Sequence, residues 1–283
     1  MSRIVVSTDS ISDLGDELIA EYNIPVLPLV INMGSDSFPD AKDMPQRIYD
    51  YVEKTKKLPK TATRSVEDYK EFYQKHKPAN GELIHFTISS KLSASYSLAE
   101  TAAKEMEGVH VIDSYSLSTG SGLSVLYAAD LAKEGKLTAS EIAVKCRERV
   151  NSVQASFLLD SLDFLHKGGR CSGLAVIFAS VLKIKPMIKL QDGAMGPGKK
   201  YRGNFNALVD KYVDDILEQF NTPDLERCFV TYTTAPDGMA EKVKERVLAK
   251  FPFKKVHITQ AGGTITSHCG KNTLGILYFN DGK

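Results

Sequence analysis

The sequence predicts an α/β protein made of two α/β domains. Short apolar runs rich in β-branched residues alternate with amphipathic stretches along the chain of 283 residues. In the first half the runs end in Asp, Ser or Thr, which is typical of a mostly parallel sheet with helices on both faces. The pattern changes near residue 152. We therefore expect an N-terminal domain over residues 1–151 and a C-terminal α/β domain over residues 152–283.

Apolar runs and amphipathic stretches place the elements of the first half. They predict strands at 3–7, 26–31, 83–88 and 109–112, and helices at 14–22, 45–56, 66–76, 94–106, 118–133 and 139–151. Capping boxes at 65–68 and 138–141 mark two helix starts. The segment 32–42 reads as a polar loop, and Thr61 is expected in a loop just before a helix.

The second half repeats the alternation with one exception. Strands are expected at 154–159, 185–190, 228–232, 256–259 and 274–279, helices at 204–220 and 237–249, and a loop at 260–272. The stretch 173–182 is almost wholly apolar. We expect this stretch to form a helix that is buried or lines an apolar slot, as a helix that is apolar all round must.

Composition is that of an ordinary globular protein. The net charge of +1 argues against nucleic-acid binding driven by phosphate neutralisation. No apolar stretch approaches membrane-spanning length and the chain enters a strand directly, so we expect a cytoplasmic protein. The cysteines form no CxxC pair and fit neither a zinc nor a disulfide framework. They are read as reduced thiols: Cys146, Cys171, Cys228 and Cys269.

A cluster of hydroxyls follows the predicted strand at 83–88. A strand that runs into a serine-rich turn and then a helix directs backbone N–H groups, hydroxyls and the positive end of a helix dipole to one point. The serines are Ser89, Ser90, Ser93, Ser95 and Ser97. The cluster predicts an anion site, while the alternative is that Ser93 only caps the helix.

Two glycine-rich segments resemble nucleotide-binding loops without matching them. Gly193–Lys200 fits seven positions of a P-loop, but the eighth is Lys rather than Ser or Thr, and Pro197 lacks an N–H. Gly120–Gly122 lacks the third glycine of a dinucleotide fingerprint and reads as a tight turn. The basic run Lys199–Arg202 is either a solvated loop or a docking patch for an acidic partner or a phosphate.

Two further segments carry candidate polar contacts. Gly168 and Gly169 would let a turn pass close to another element and point Arg170 toward a ligand, although an ion pair with Asp160 or Asp163 competes with that reading. His268 lies in a segment rich in glycine and hydroxyls that could form an anion nest. No spacing of residues suggests a metal site.

Six segments in order carry a family resemblance. They are 8–10, 60–61, 88–93, 111–114, 162–172 and 184–186. With these segments the chain resembles the DegV family of bacterial fatty-acid-binding proteins, the subunit that presents a fatty acid to a separate fatty-acid kinase. The resemblance implies a long-chain fatty acid held between two α/β domains, no catalysis and no cofactor of its own, and a role in phospholipid synthesis.

The resemblance also implies roles for single residues. Thr61 and Ser93 match hydroxyls that bind the carboxyl group, Arg170 and His268 match its polar support, and Arg202 matches a position associated with the kinase. The acyl slot is expected from Phe157, Leu162, Phe164, Leu165, Leu174, Ile177, Phe178 and Leu182. The segment 268–272 departs from the family pattern because it lacks a proline and a second glycine.

Two other functions stay open at this point. A stand-alone hydrolase or transferase acting on a small acyl or phosphorylated substrate would need Ser93 paired with His268. A sugar- or nucleotide-binding module should show aromatic stacking residues, and the chain has no Trp. A fatty-acid carrier would have the lipid and the kinase as partners, with transient membrane contact for lipid exchange.

Overall fold

The computed structural model describes residues 3–169 and 184–282. The strands within these ranges are β1 (Arg3–Asp9), β2 (Val26–Leu27), β3 (Val30–Met33), β4 (Asp36–Pro39), β5 (Lys60–Ala62), β6 (Gly81–Thr87), β7 (Val109–Asp113), β8 (Val153–Leu159), β9 (Ile184–Gln191), β10 (Ala194–Arg202), β11 (Arg227–Tyr232), β12 (Lys255–Gln260) and β13 (Thr273–Phe279). The helices are α1 (Asp16–Tyr22), α2 (Met44–Thr55), α3 (Val66–His76), α4 (Ser95–Ala103), α5 (Ser118–Glu134), α6 (Ala139–Arg149), α7 (Asp163–Lys167), α8 (Phe205–Gln219), α9 (Met239–Lys250) and α10 (Gly263–Cys269). They form the α/β fold that the sequence predicts.

A parallel four-stranded sheet in the order β2-β1-β6-β7 forms the first layer. Its central strand β6 is buried on both faces, since Leu83 belongs to one core cluster, with α3 and α4, and Ile84 and Phe86 belong to another, with α5. This confirms the predicted parallel sheet with helices on both faces. Both predicted capping boxes are present, at Ser65 and Thr138.

A small antiparallel sheet, β4-β3-β5, corrects three predictions. The strand expected at 26–31 is interrupted, because Pro28 cannot donate to a ladder, and the chain passes from β2 into β3 of another sheet. The expected loop at 32–42 is a hairpin that turns at Gly34, whose φ is +70°. Thr61 lies in β5, paired with Ile31, and not in a loop.

A six-stranded mixed sheet, β10-β9-β8-β13-β11-β12, occupies the C-terminal half. The P-loop-like segment belongs to a β-hairpin: β10 runs antiparallel to β9, with a register shift between Pro197 and Lys200. It does not open a helix, so it lacks the geometry of a phosphate-binding loop. Lys199–Arg202, one reading of which was a solvated loop, is part of this strand at the edge of the sheet.

Helix α5 lies between the parallel and the mixed sheets. Its core cluster joins Leu123 and Leu126 to Phe86 on one side and to Leu277 on the other. Gly122 permits the close approach of α5 to the segment after β1, because an added Cβ there would lie 2.8 Å from the Ser12 carbonyl oxygen. The tight turn predicted for Gly120–Gly122 is therefore wrong, since these residues lie inside α5. The boundary near residue 152 stays a prediction.

Other sequence expectations meet the structure only in part. The apolar stretch 173–182 and Cys171 lie outside the described residues. Cys146, Cys228 and Cys269 are buried free thiols. Among residues 3–169 and 184–282, no helix is long and apolar enough to cross a membrane.

Candidate functional site

Strands of the small and the mixed sheets, and loops that follow strands of the parallel sheet, line a cavity of about 70 Å³. Its walls come from β5, β8, β10, α7, α10 and the loops after β1 and β6. The lining residues are Ile11, Leu29, Thr61, Ala62, Thr63, Ile88, Leu92, Ser93, Leu117, Phe157, Leu165, Met195, Thr264, Ile265, His268 and Cys269. The cavity is therefore polar on one side and apolar on the other.

The polar side brings together three residues predicted from sequence, Thr61, Ser93 and His268. Thr61 Oγ1 lies 2.8 Å from His268 Nε2, so one of the two donates a hydrogen bond to the other. Thr61 comes from β5 and His268 from the last turn of α10. The two residues are 207 positions apart in sequence, and only the packing of α10 on the small sheet joins them.

Ser93 is connected to a chain of hydroxyls. Its Oγ lies 3.0 Å from Ser95 Oγ, which in turn donates to Thr63 Oγ1 at 2.9 Å. Ser93 Oγ also accepts from the Ser95 N–H at 3.2 Å, but the N-cap residue of α4 is Ala94. The chain holds the hydroxyls at the cavity wall. Ser95 belongs to the serine cluster predicted from the sequence, but Thr63 was not singled out, because its contact depends on the position of β5.

The residues predicted for the acyl slot separate into three groups. Phe157 and Leu165 line the cavity, and Leu162 packs against the same apolar cluster. Phe164 lies elsewhere, in a groove with Tyr49 and against the backbone of Gly270. The remaining predicted slot residues lie outside the described residues: Leu174, Ile177, Phe178 and Leu182. Arg170 also lies outside them.

The loop predicted at 260–272 contains helix α10, and this prediction is wrong. The backbone N–H of Gly262 donates to Asp13 Oδ1 at 2.8 Å, and the N–H of Gly263 donates to Asp40 Oδ1 at 2.8 Å. Thr264 donates twice to Asp40 Oδ2, from its N–H at 3.0 Å and its hydroxyl at 2.6 Å. The expected anion nest is thus filled by the protein's own carboxyl groups.

Burial changes the acidity of two carboxyl groups beside this helix start. It raises the pKa of Asp13 to about 8 and that of Asp9 to about 7, despite hydrogen bonds that act in the opposite direction. The negative charge of Asp40 adds to both increases. Asp9 accepts from the backbone N–H groups of Ile11 and Ile88, at 3.2 Å each, and so joins the end of β1 to the end of β6.

Helix α7 approaches His268 closely, as the two glycines that follow it suggested. A Cβ added to Gly168 would lie 2.5 Å from His268 Nδ1. Only glycine therefore permits this approach without movement of the imidazole. Asp160, expected to compete for Arg170, forms an ion pair with Lys185.

The hairpin of β9 and β10 reaches the serine loop. Ser89 Oγ donates to the Gly193 carbonyl at 2.7 Å. At the other end of β10, Arg202 is exposed. Lys199 Nζ and Tyr201 Oη both contact Asp215, at 2.8 and 2.7 Å. Part of the basic run is thus engaged within the protein. No group of His, Cys, Asp or Glu side chains that could hold a metal ion occurs in the described part of the chain.

The fold and the cavity define a three-sheet α/β protein with a site lined by a hydrogen-bonded polar group and an apolar cluster. A family model described as "Uncharacterised protein, DegV family" matches residues 3–281, and the chain belongs to that family.

Relatives match over nearly the whole chain. A DegV domain-containing protein of Caldanaerobacter subterraneus is 28% identical over 98% of this chain and 99% of its own length. Among solved structures, a DegV family protein from Thermus thermophilus, described for its fatty acid binding, superposes with a TM-score of 0.89 at 28% identity, covering 99% of this chain and 100% of that one. DegV of Bacillus subtilis, described as a fatty acid binding protein, gives 0.86 at 25% identity with the same coverage.

Proposed function

We propose that the protein binds a long-chain fatty acid in this cavity. The observation that carries the proposal is the continuity of two surfaces, since the Thr61, Ser93 and His268 cluster opens directly onto Phe157, Leu165 and other apolar side chains. The fatty acid binding described for the Thermus thermophilus and Bacillus subtilis proteins supports the same conclusion.

The polar end suits a carboxyl group. A carboxylate accepts hydrogen bonds only, and bonds to a charged acceptor are stronger than neutral ones. The Thr61 hydroxyl can donate one while it accepts from the His268 ring N–H. The Ser93 hydroxyl can donate another once it turns from Ser95 Oγ to the carboxylate. Arg170, matched by the family resemblance, is proposed as further support for the carboxyl group.

The apolar end suits an acyl chain, at about 0.8 kcal/mol for each CH₂ removed from water. The apolar wall of the cavity can take the first methylenes of the tail. We propose that the rest of the tail contacts the slot residues expected from the sequence, Leu174, Ile177, Phe178 and Leu182. Ile184, where the described chain resumes, packs on the same apolar cluster as Leu165.

Mass spectrometry of solvent extracts tests the proposal. The purified protein should carry close to one fatty acid per chain, because release of a buried acyl chain into water costs about 0.8 kcal/mol for each CH₂. Thr61→Val combined with Ser93→Ala should lose the lipid. The control combines Ser97→Ala and Thr101→Val, which remove two exposed hydroxyls from α4. A protein that carries no lipid and shows no thermal shift with palmitate or oleate would rule out the carrier function.

We further propose that the bound fatty acid is presented to a separate kinase in the bacterial cytoplasm. The kinase would supply ATP and magnesium and phosphorylate the carboxyl group, since the P-loop-like segment here is a strand. Arg202, exposed at the end of β10, is the proposed contact. Arg202→Ala should slow phosphorylation of bound lipid, whereas Lys255→Ala, an exposed basic residue on the opposite edge strand, should not. Equal rates for both variants would exclude this contact.

A stand-alone hydrolase is less well supported. It needs His268 to activate Ser93, but His268 Nε2 is bonded to Thr61 and Ser93 Oγ to Ser95. Labelling of Ser93 by a fluorophosphonate probe would favour the hydrolase.

A further inference from the structure

Helix α10 supplies four residues to the cavity and depends on remote residues for its own position. It has seven residues, and an isolated helix of that length is not stable in water. Its first N–H groups have no partner within the helix and need acceptors from elsewhere. Asp13 and Asp40, more than 200 positions earlier in the chain, supply them.

Asp40 accepts more hydrogen bonds from the start of α10 than Asp13 does. Both of its carboxyl oxygens accept from α10, through Gly263 and Thr264, and Oδ2 also accepts from Ser10 Oγ at 3.0 Å. The contact is close because Gly263 has no side chain: an added Cβ would lie 2.6 Å from Asp40 Oδ1. A carboxylate at a helix N-terminus also interacts favourably with the helix dipole.

The first turn of α10 and His268 belong to one short helix, so they move together. His268 lies five residues after Gly263, which is about 7.5 Å along a helix. A shift of the first turn therefore moves the imidazole relative to Thr61, and a hydrogen bond of 2.8 Å does not tolerate a shift of 1 Å or so.

We propose that Asp40 is a positioning residue for the fatty-acid head group: by capping α10 it fixes where His268 stands in the cavity. This inference rests on the proposed fatty-acid binding. Asp40 does not line the cavity, but through His268 it contributes to the affinity for the carboxyl group.

A double-mutant cycle tests the route of the effect. Asp40→Asn should weaken palmitate binding about five- to tenfold, whereas Asp43→Asn, an exposed neighbour that pairs only with Arg47 among the described ion pairs, should change it less than twofold. In a His268→Ala background, Asp40→Asn should have no further effect. A loss that persists undiminished in that background would overturn the inference, because Asp40 would then act through Thr264, which it also holds at the cavity wall, through folding or through the tail, and not through His268.

Nuclear magnetic resonance of the histidine side chains gives a test that needs no ligand. The His268 imidazole signals, identified by their loss in His268→Ala, should shift in Asp40→Asn and stay in place in Asp43→Asn. Unmoved signals in Asp40→Asn would refute the positioning role. If wild-type protein binds no palmitate, the proposed function fails while this measurement still decides the inference. Should Asp40→Asn not fold, Ser10→Ala, which removes one donor to Asp40, should give smaller changes in the same directions.

Discussion

Replacing Gly168 by alanine tests the geometry of the head-group site without changing any charge. The added Cβ would lie 2.5 Å from His268 Nδ1, whereas ordinary contacts begin near 3.4 Å. The imidazole would therefore have to move by about 0.9 Å. A displacement of that size away from Thr61 would lengthen the bond of 2.8 Å to about 3.7 Å, which is no longer a hydrogen bond.

The displaced imidazole would also be out of place for the bound carboxyl group, and losing one hydrogen bond to that group costs about 0.5–1.5 kcal/mol. Palmitate affinity of Gly168→Ala should accordingly fall about two- to tenfold, as measured by isothermal titration calorimetry on delipidated protein. The matched control is Gly196→Ala on β10, where an added Cβ meets nothing closer than 3.9 Å. The φ of −73° at Gly168 suits alanine, but the added Cβ would also lie 2.9 Å from the Phe164 carbonyl oxygen, so the end of α7 shares the displacement. Wild-type affinity in Gly168→Ala would show that His268 does not contribute to the site in the way its position suggests.

Two further predictions concern stability. Asp9 and Asp13 have folded-state pKa values of about 7 and 8 against an ordinary value of 3.8, so above pH 7 the folded protein still holds protons that the unfolded chain has released. The thermal unfolding midpoint followed by circular dichroism should therefore fall between pH 7 and pH 8.5, and Asp13→Asn should flatten that slope; a midpoint that rises over this range in both proteins would contradict the burial argument. Gly122→Ala should lower the free energy of unfolding by about 1–3 kcal/mol in urea titrations, because its Cβ would lie 2.8 Å from a backbone oxygen and overpacking is costly; a midpoint equal to that of Gly196→Ala would refute the close packing of α5.

Local patterns in the sequence were enough to predict most elements. Strand β6 follows from its apolar run, and the starts of α3 and α6 follow from capping boxes, since each depends on neighbours in sequence. Contacts made over long separations were not predictable in the same way. Thr61 lies in a strand only because β3 pairs with it, and α10 forms only where Asp13 and Asp40 accept its N–H groups. A single sequence contains no local signal for either arrangement.

The candidate site shows the same division. Its hydroxyls and His268 stand out because they are concentrated in turn-rich segments, and the family resemblance indicated which of them to choose. Asp40 did not stand out, because a lone aspartate in a polar segment has many ordinary roles. Its importance depends on the approach of Gly263, which is visible only once the small sheet and α10 are placed together.

The position of α5 has a consequence for how the chain folds. One helix completes the cores of both large sheets, with Phe86 on one side and Leu277 and Phe279 in the same cluster on the other. Neither half can bury its apolar surface fully without the other, and fragments cut near residue 152 would each expose part of this cluster. The molecule should therefore unfold in a single cooperative transition, and its two halves should not separate independently to admit a ligand.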